Sequence, residues 1–174
     1  MLHLQEAGLG NLAREAQFVS AMPVDENGLT NSWHGVTEAE YAQKTLCQYR
    51  DFAAGRNLPG GFVPETFYFL WQGDKIVGQF RLRHHLTAAL SAGAGHIGYY
   101  IAPAFRGQGL ATEGLRLLLD IARGIVPEDE IYLRVNRDNP ASLHVMLKCG
   151  GYIHHEDAQK YYVRIKNSKG EHEA

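Results

Sequence analysis

Between Ile97 and Leu119 the chain reads IGYYIAPAFRGQGLATEGLRLLL, and its chemistry is concentrated in Arg106-Gly107-Gln108-Gly109. The run Ile97 to Ile101 is β-branched and aromatic, the composition that strands prefer. Pro103 cannot continue a central strand. Past Gly109 the apolar residues take helical spacing, with Leu110, Gly114, Leu117 and Ile121 in one row and Ala111, Leu115, Leu118 and Ala122 in the next. Glu113, Arg116, Asp120 and Arg123 fall on the opposite, wet face. The glycines therefore sit where a strand turns into a helix. A helix start exposes backbone N–H groups that lack intrahelical partners, in a region of partial positive charge. Ser, Thr, Asp or Asn usually caps such an end, and this turn offers none of them. Glycine lets a large anion approach the backbone closely, and Arg106 adds a cation. These residues imply a site for phosphate or pyrophosphate.

Neither common nucleotide motif matches. The P-loop string G-x-x-x-x-G-K-[ST] is absent, and GQGLAT carries threonine at the third glycine of a dinucleotide fingerprint. Arg106-Gly107-Gln108-Gly109-Leu110-Ala111 instead resembles the R/Q-x-x-G-x-G/A loop of the GNAT superfamily of N-acetyltransferases, where the loop holds the pyrophosphate of acetyl-coenzyme A. The resemblance runs from Phe67 to Tyr162. It takes in the preceding GYYIAP and the later NRDNPASLHVMLKCGGY, and is nearest to a bacterial group of uncharacterised acetyltransferases. It implies a mixed, mostly antiparallel central sheet flanked by helices. It also implies acetyl-coenzyme A as co-substrate, a primary amine of a small molecule or protein as acceptor, and no metal. By residue matching, Tyr99, Tyr100 and Ile101 would lie along the cofactor. Arg106, Gly107, Gln108, Gly109, Leu110, Ala111 and Thr112 would hold its pyrophosphate. Asn139 and Ser142 would add contacts of their own.

Acetyl transfer needs a polarised donor carbonyl, a neutral amine and a leaving thiolate. Backbone N–H groups suit the first task. An alkylamine with a pKa of about 10.4 arrives protonated, so a base or a water chain must take its proton. His96 is the leading candidate base, since it precedes the strand and titrates in the right range. Two readings of it stay open, base or structural histidine. Family members that carry a Glu or His base on this strand place it where this chain has Gly95, and strand alternation would send His96 to the other face unless a bulge intervenes. His84 and His85 alternate across one strand, with a packing or surface role expected. Many relatives use a tyrosine seven residues after the matching asparagine as acid toward the thiolate; here that position is Met146, which cannot donate a proton. Cys149 reads as buried packing rather than a covalent acetyl carrier. His154-His155-Glu156 reads as edge-strand polarity, and Phe67 to Trp71 as core. A non-catalytic sensor of acetyl-coenzyme A is the alternative function.

Locally, Asn139 is an N-cap with Pro140 at the first helical position. The strand Glu130 to Asn136 precedes that helix, which ends at Gly150-Gly151. YIHHED and KYYVRIKN form a closing hairpin, and Thr66 to Gln72 pairs with Lys75 to His85 across a Gly73-Asp74 turn. Earlier come a strand in LHLQ, a helix from Asn11 to Met22, and a helix opened by the capping box at Thr37 and running towards Ala54. PVDENGLTNSWHG and AGRNLPGGFVPE read as loops that would shape the acceptor side, and TAALSAGAG as a connector. The whole reads as one domain, residues 1–174, with a polar tail from about 167. Hydrophobic residues make up 45% and charged ones 21%, as in ordinary globular chains. The net charge of −2 offers no field for nucleic acid. No apolar run approaches the roughly 20 residues that cross a bilayer. The two cysteines lie far apart, without metal-ligand spacing. A cytoplasmic protein is expected, with a homodimer left open.

Overall fold

The computed structural model describes residues 1–168. In chain order it begins with β1 (Leu2–Glu6), α1 (Leu12–Ala21), the short strands β2 (Asp25–Glu26) and β3 (Leu29–Thr30), α2 (Glu38–Glu40) and α3 (Leu46–Ala53). Next come β4 (Glu65–Gln72), β5 (Lys75–Arg83), α4 (Ala88–Ala92), β6 (Ile97–Ile101) and α5 (Leu110–Ala122). The chain closes with β7 (Glu130–Asn136), α6 (Pro140–Lys148), β8 (Tyr152–Glu156) and β9 (Lys160–Lys166).

β1, β4, β5 and β6 form one antiparallel sheet in the order β1-β4-β5-β6, and β7, β9 and β8 form a second in the order β7-β9-β8. The run Phe67 to Trp71 is apolar throughout because both faces of the first sheet are covered. On one face Leu70, Phe80, Leu82, Ile97 and Ile101 pack with Leu115 and Leu118 of α5. On the other, Phe69, Trp71 and Ile76 pack with Val19, Tyr41, Leu46 and Tyr49. Gly114 sets the distance of α5 from the sheet, since a Cβ there would run into the Phe80 ring. β7 alternates: Ile131, Leu133 and Val135 enter the core, while Tyr132, Arg134 and Asn136 face the other way.

The capping box at Thr37 forms as the sequence predicts, and the helix behind it passes through a π turn at Tyr41–Thr45. That turn puts Tyr41 where its hydroxyl donates to Glu15 Oε2 at 2.6 Å. Burial raises the Glu15 pKa, and the bonds from Tyr41 and the Gly8 amide offset part of that cost.

Three local expectations are corrected. The first loop contains a hairpin, because Asn27 (φ 54°) and Gly28 (φ 83°) supply the two left-handed residues that a tight β-turn needs. The small-residue connector contains α4, capped by Thr87, whose side chain accepts from the Leu90 amide. β5 ends at Arg83, so His84 and His85 lie beyond the strand rather than alternating across it, and His84 bonds to the Thr66 hydroxyl at 2.8 Å. At the far end, Asn167 is held, its side chain donating to the carbonyls of Val126 and Glu128. The rest of the expected tail, residues 169–174, lies outside the described residues.

The two sheets meet at one joint. The His96 amide donates to the Tyr132 carbonyl at 2.7 Å, and the Tyr132 amide donates to His96 Nδ1 at 2.9 Å. Beyond it β6 and β7 belong to separate sheets, so the outer edge of β6 opens without a strand hydrogen-bonded to it among the described residues. α5 begins past the end of β6 and α6 past the end of β7.

Candidate functional site

The turn after β6 has the geometry its composition implies. Gly107 (φ 75°) and Gly109 (φ 77°) are both left-handed, where other residues are strained. No atom lies within 4 Å of the place a Cβ would occupy at either glycine. Gly109 is the N-cap of α5 and no side chain bonds to the amides there. Leu110, Ala111 and Thr112 thus begin a 13-residue helix with uncapped N–H groups beside open space. That fits a pyrophosphate. The Glu113 carboxylate, in the first turn, is paired with Arg116.

Arg106 departs from the sequence expectation. Its Nε donates to the Ile101 carbonyl at 2.9 Å and its Nη2 to Glu26 Oε2 at 2.9 Å, and the guanidinium lies over the Tyr100 ring. The cation is therefore turned back against β2 and β6 and fixes the shape of the turn. Its bond to Glu26 raises its pKa further. Gln108 reaches the Ala104 carbonyl at 3.4 Å.

Strand phase decides which β6 backbone groups face the opening. The Ala102 amide donates to Val77, and β6 pairs with β5 without a register shift. In an antiparallel ladder alternate residues bond to the neighbour, so Gly98, Tyr100 and Ala102 turn their backbone groups to β5. Those of Ile97, Tyr99 and Ile101 point away from it, and the Ile101 carbonyl accordingly takes the Arg106 bond. Tyr100 is thereby corrected: its backbone is used by the sheet, and its ring packs edge-on against Phe18. Tyr99 supplies the outward amide, and its hydroxyl bonds to Ser142 Oγ at 2.7 Å across to α6. Burial pushes the Tyr99 phenol up to about 12.

His96 is not placed to act as a base. The side chain is fully buried. Nδ1 accepts the Tyr132 amide, so Nε2 holds the proton and faces Glu128 Oε2 at 3.1 Å. No lone pair is left for a substrate proton. Burial lowers the pKa, and the Glu128 bond only partly opposes it. Gly95 explains why the neighbouring position carries no base either, since a Cβ there would collide with the Tyr132 carbonyl. The close joint between the sheets excludes a side chain at that point.

Asn139 caps α6, its side chain accepting from the Ser142 amide at 3.3 Å. Met146 is buried in the main core. The Cys149 thiol faces the Thr112 carbonyl at 3.5 Å and burial raises its pKa, as suits a packed thiol rather than a nucleophile. His154 and His155 are exposed on β8, and no metal-binding group of His, Cys, Asp and Glu is found among the described residues.

Sequence reasoning missed one group of residues. Glu65, Arg81 and Arg83 meet on the face of the first sheet opposite α5, near Gly98. The signal was present in RLR, two arginines at strand spacing within an otherwise buried stretch.

Comparison with known proteins agrees with this geometry. A family model described as an acetyltransferase (GNAT) domain matches residues 19–151. No curated protein matches the sequence. Among solved structures, the spermidine N-acetyltransferase of Vibrio cholerae in complex with CoA and spermine is 19% identical, with TM-score 0.58 over 97% of this chain and 96% of that one. The Campylobacter jejuni N-acetyltransferase PseH, in complex with acetyl coenzyme A, is 14% identical, with TM-score 0.56 over 95% and 99%. A GNAT-family acetyltransferase of Streptococcus pneumoniae is 18% identical, with TM-score 0.58 over 94% and 97%. With a family match over most of its length, the residues of that family's loop in place and the strands parted beside it, the chain belongs to the GNAT family of acetyl-coenzyme A-dependent acetyltransferases.

Proposed function

We propose that this chain, acting as a single cytoplasmic domain, moves the acetyl group of acetyl-coenzyme A directly to a primary amine of a small molecule or protein. One observation carries the reading: an uncapped helix start with two left-handed glycines lies beside a strand whose Tyr99 backbone faces the opening. The Leu110 to Thr112 amides would hold the pyrophosphate, and the Tyr99 amide would meet the negative charge that develops on the thioester oxygen. The amine nitrogen attacks the thioester carbonyl carbon. A C–N bond forms, the C–S bond breaks, and its electron pair leaves with the coenzyme sulfur. The amine's proton passes to water, because His96 has no lone pair free. With Met146 where relatives keep a tyrosine, the sulfur leaves as thiolate, a stable group for a thiol of pKa about 8.5.

A second reading, a sensor that binds acetyl-coenzyme A without turnover, draws on the absence of a side-chain base and of the tyrosine acid at residues 96 and 146. Calorimetry with acetyl-coenzyme A and release of free thiol across an amine panel separate the two. Binding with thiol release supports transfer, binding without it supports the sensor, and no binding overturns both. The polyamine of the Vibrio enzyme is not carried over to this chain, whose β5 brings two arginines against a single carboxylate, Glu65, beside Gly98.

A further inference from the structure

The face of the first sheet opposite α5 carries an unbalanced set of charges next to the amide assigned to the acetyl group. Strand register places Glu65 opposite Arg83, Phe67 opposite Arg81, and Arg81 opposite Gly98. Glu65 Oε2 lies 3.7 Å from Arg81 Nε and 3.6 Å from Arg83 Nε. One carboxylate thus faces two guanidinium groups, and all three side chains are largely buried, at 5%, 20% and 13% exposure. Arg83 also donates Nη1 to the Gly95 carbonyl at 3.0 Å, so its head is fixed at the joint between the sheets. Arg81 is different. Its Nε is buried and has no hydrogen-bond partner among the described residues.

The Arg81 head lies over Gly98. Nη2 and Nε are 3.6 and 3.8 Å from the point a Cβ would occupy there. Gly98 immediately precedes Tyr99, so this guanidinium flanks the position where the amine must attack. Leu29 of β3 closes one side, its Cδ1 3.1 Å from the same point, and the Tyr49 ring stacked at 3.9 Å on Phe67 closes another. A third cation comes from the second sheet. Arg134 Nη1 stands 3.8 Å from the Cβ point of Gly93, and its charge reaches Arg83. Burial, then the neighbouring Arg81 charge, pulls Arg83 down to about 10; Glu65 opposes this in part, and Arg134 adds a smaller effect in the same direction as Arg81.

Two cations held against one carboxylate in a partly dry site repel each other, and a second anion relieves that repulsion. A guanidinium presents a planar fork of donors that matches a carboxylate or phosphate in two-point contact. A cationic acceptor would face the opposite sign. We propose that the acceptor amine carries a carboxylate or phosphate that docks on Arg81, with Arg83 and Arg134 adding to the field, while its amine reaches the thioester beside Tyr99. This rests on the acetyl-transfer reading above.

The test compares matched amines that differ in one anionic group: glycine with glycinamide, phosphoethanolamine with ethanolamine, and spermidine as the cationic control. Thiol release gives kcat/KM for each, on the wild-type protein and on Arg81→Gln, with acetyl-coenzyme A affinity measured on both by calorimetry. The expected result is a preference of about tenfold or more for at least one anionic member over its neutral partner, the scale of a charge-assisted two-point contact. Whichever pair shows it identifies carboxylate or phosphate. Arg81→Gln should erase that preference through KM while acetyl-coenzyme A binding is unchanged. Turnover led by spermidine or by neutral amines, a preference that survives Arg81→Gln, or no turnover of any member despite bound acetyl-coenzyme A overturns the inference. Failure to bind acetyl-coenzyme A overturns the acetyl-transfer reading instead.

Discussion

The turn after β6 and the arginine face beneath it differ in how they are built. The turn works through backbone: two left-handed glycines, an uncapped helix start and the outward amide of Tyr99. The arginine face works through side chains drawn from β4 and β5 and set over a glycine of β6. A backbone site must place particular residues at fixed spacing along one stretch of chain, so it can be read as a string. A side-chain site needs only that strands bring its members together, so its members lie apart in sequence. Cofactor handling is therefore legible here, and acceptor choice is not.

The largest effect that can break this comparison falls on the turn. Gly109→Asp puts a carboxylate at the helix start, where the pyrophosphate charge belongs. The structure has room for the side chain, and aspartate is among the residues least strained at positive φ, so the fold should survive. Like-charge apposition costs several kcal/mol, so affinity for acetyl-coenzyme A should fall at least about a hundredfold. Calorimetry on the folded variant measures it, and unchanged affinity would remove the turn from the site.

The same contrast explains what the sequence could tell. Strands β4 to β9, helices α5 and α6, and both ends of the turn follow from apolar, β-branched and aromatic runs, from helical spacing, from Pro103 and Pro140, and from the cap at Asn139. The β2–β3 hairpin was missed although Asn27-Gly28 is a strong turn signal, because strands of two residues are too short to show alternation. α4 was missed because Ala, Ser and Leu at that length carry no clear period, and only the Thr87 cap marked it. Arg106 stands in the turn, but the direction of its side chain depends on Glu26, 80 residues away. His96 was ambiguous for the same reason: its partners, Glu128 and Tyr132, come from beyond α5.

His96 tests whether the joint between the sheets is structure or chemistry. His96→Ala leaves the Tyr132 amide and the Glu128 carboxylate without their partner and opens a cavity, a loss of about 3 kcal/mol. Denaturant unfolding should show it, while the rate per folded molecule keeps the wild-type pH profile. A folded variant that loses a pH limb would restore His96 as the base. The wild-type protein adds a check of sign. Unfolded, the imidazole takes a proton near its ordinary 6.5; folded, burial holds its pKa lower. Between those values the unfolded chain binds more protons, so the stability His96 contributes above pH 6.5 is lost as the pH falls through its folded pKa. The melting temperature should drop on acidification across that window, and the drop should shrink in His96→Ala.

Met146 lies where relatives place a proton donor, yet it is 3% exposed in the main core. Met146→Ala should therefore cost about 2–3 kcal/mol of stability through the cavity it leaves. Single-turnover acetyl transfer at saturating acetyl-coenzyme A should change little. A rate loss much larger than the stability loss would mean that this thioether is part of the reacting surface.

The smallest effect falls on Tyr99, where both regions touch. Its backbone belongs to the proposed acetyl site, and its hydroxyl ties β6 to α6 through Ser142 Oγ at 2.7 Å. Its phenol stands on the strand on the side of α6, which makes it a candidate to protonate the departing sulfur in place of the missing tyrosine. Burial argues otherwise, because a phenol held up to about 12 gives up its proton less readily than the coenzyme thiol does. Transfer from Tyr99 to a thiolate of pKa about 8.5 runs uphill, and the thiolate needs no proton to leave at neutral pH. Tyr99→Phe keeps the ring stacked on Phe80 and the backbone amide, and deletes only the bridge. The expected cost is about 1 kcal/mol of stability, one ordinary hydrogen bond. The transfer rate should fall less than about tenfold, below the roughly 10²-fold lower limit for losing a general acid. A hundredfold loss in a stable variant, with acetyl-coenzyme A still bound, would make the hydroxyl the acid and move the chemistry from backbone to side chain.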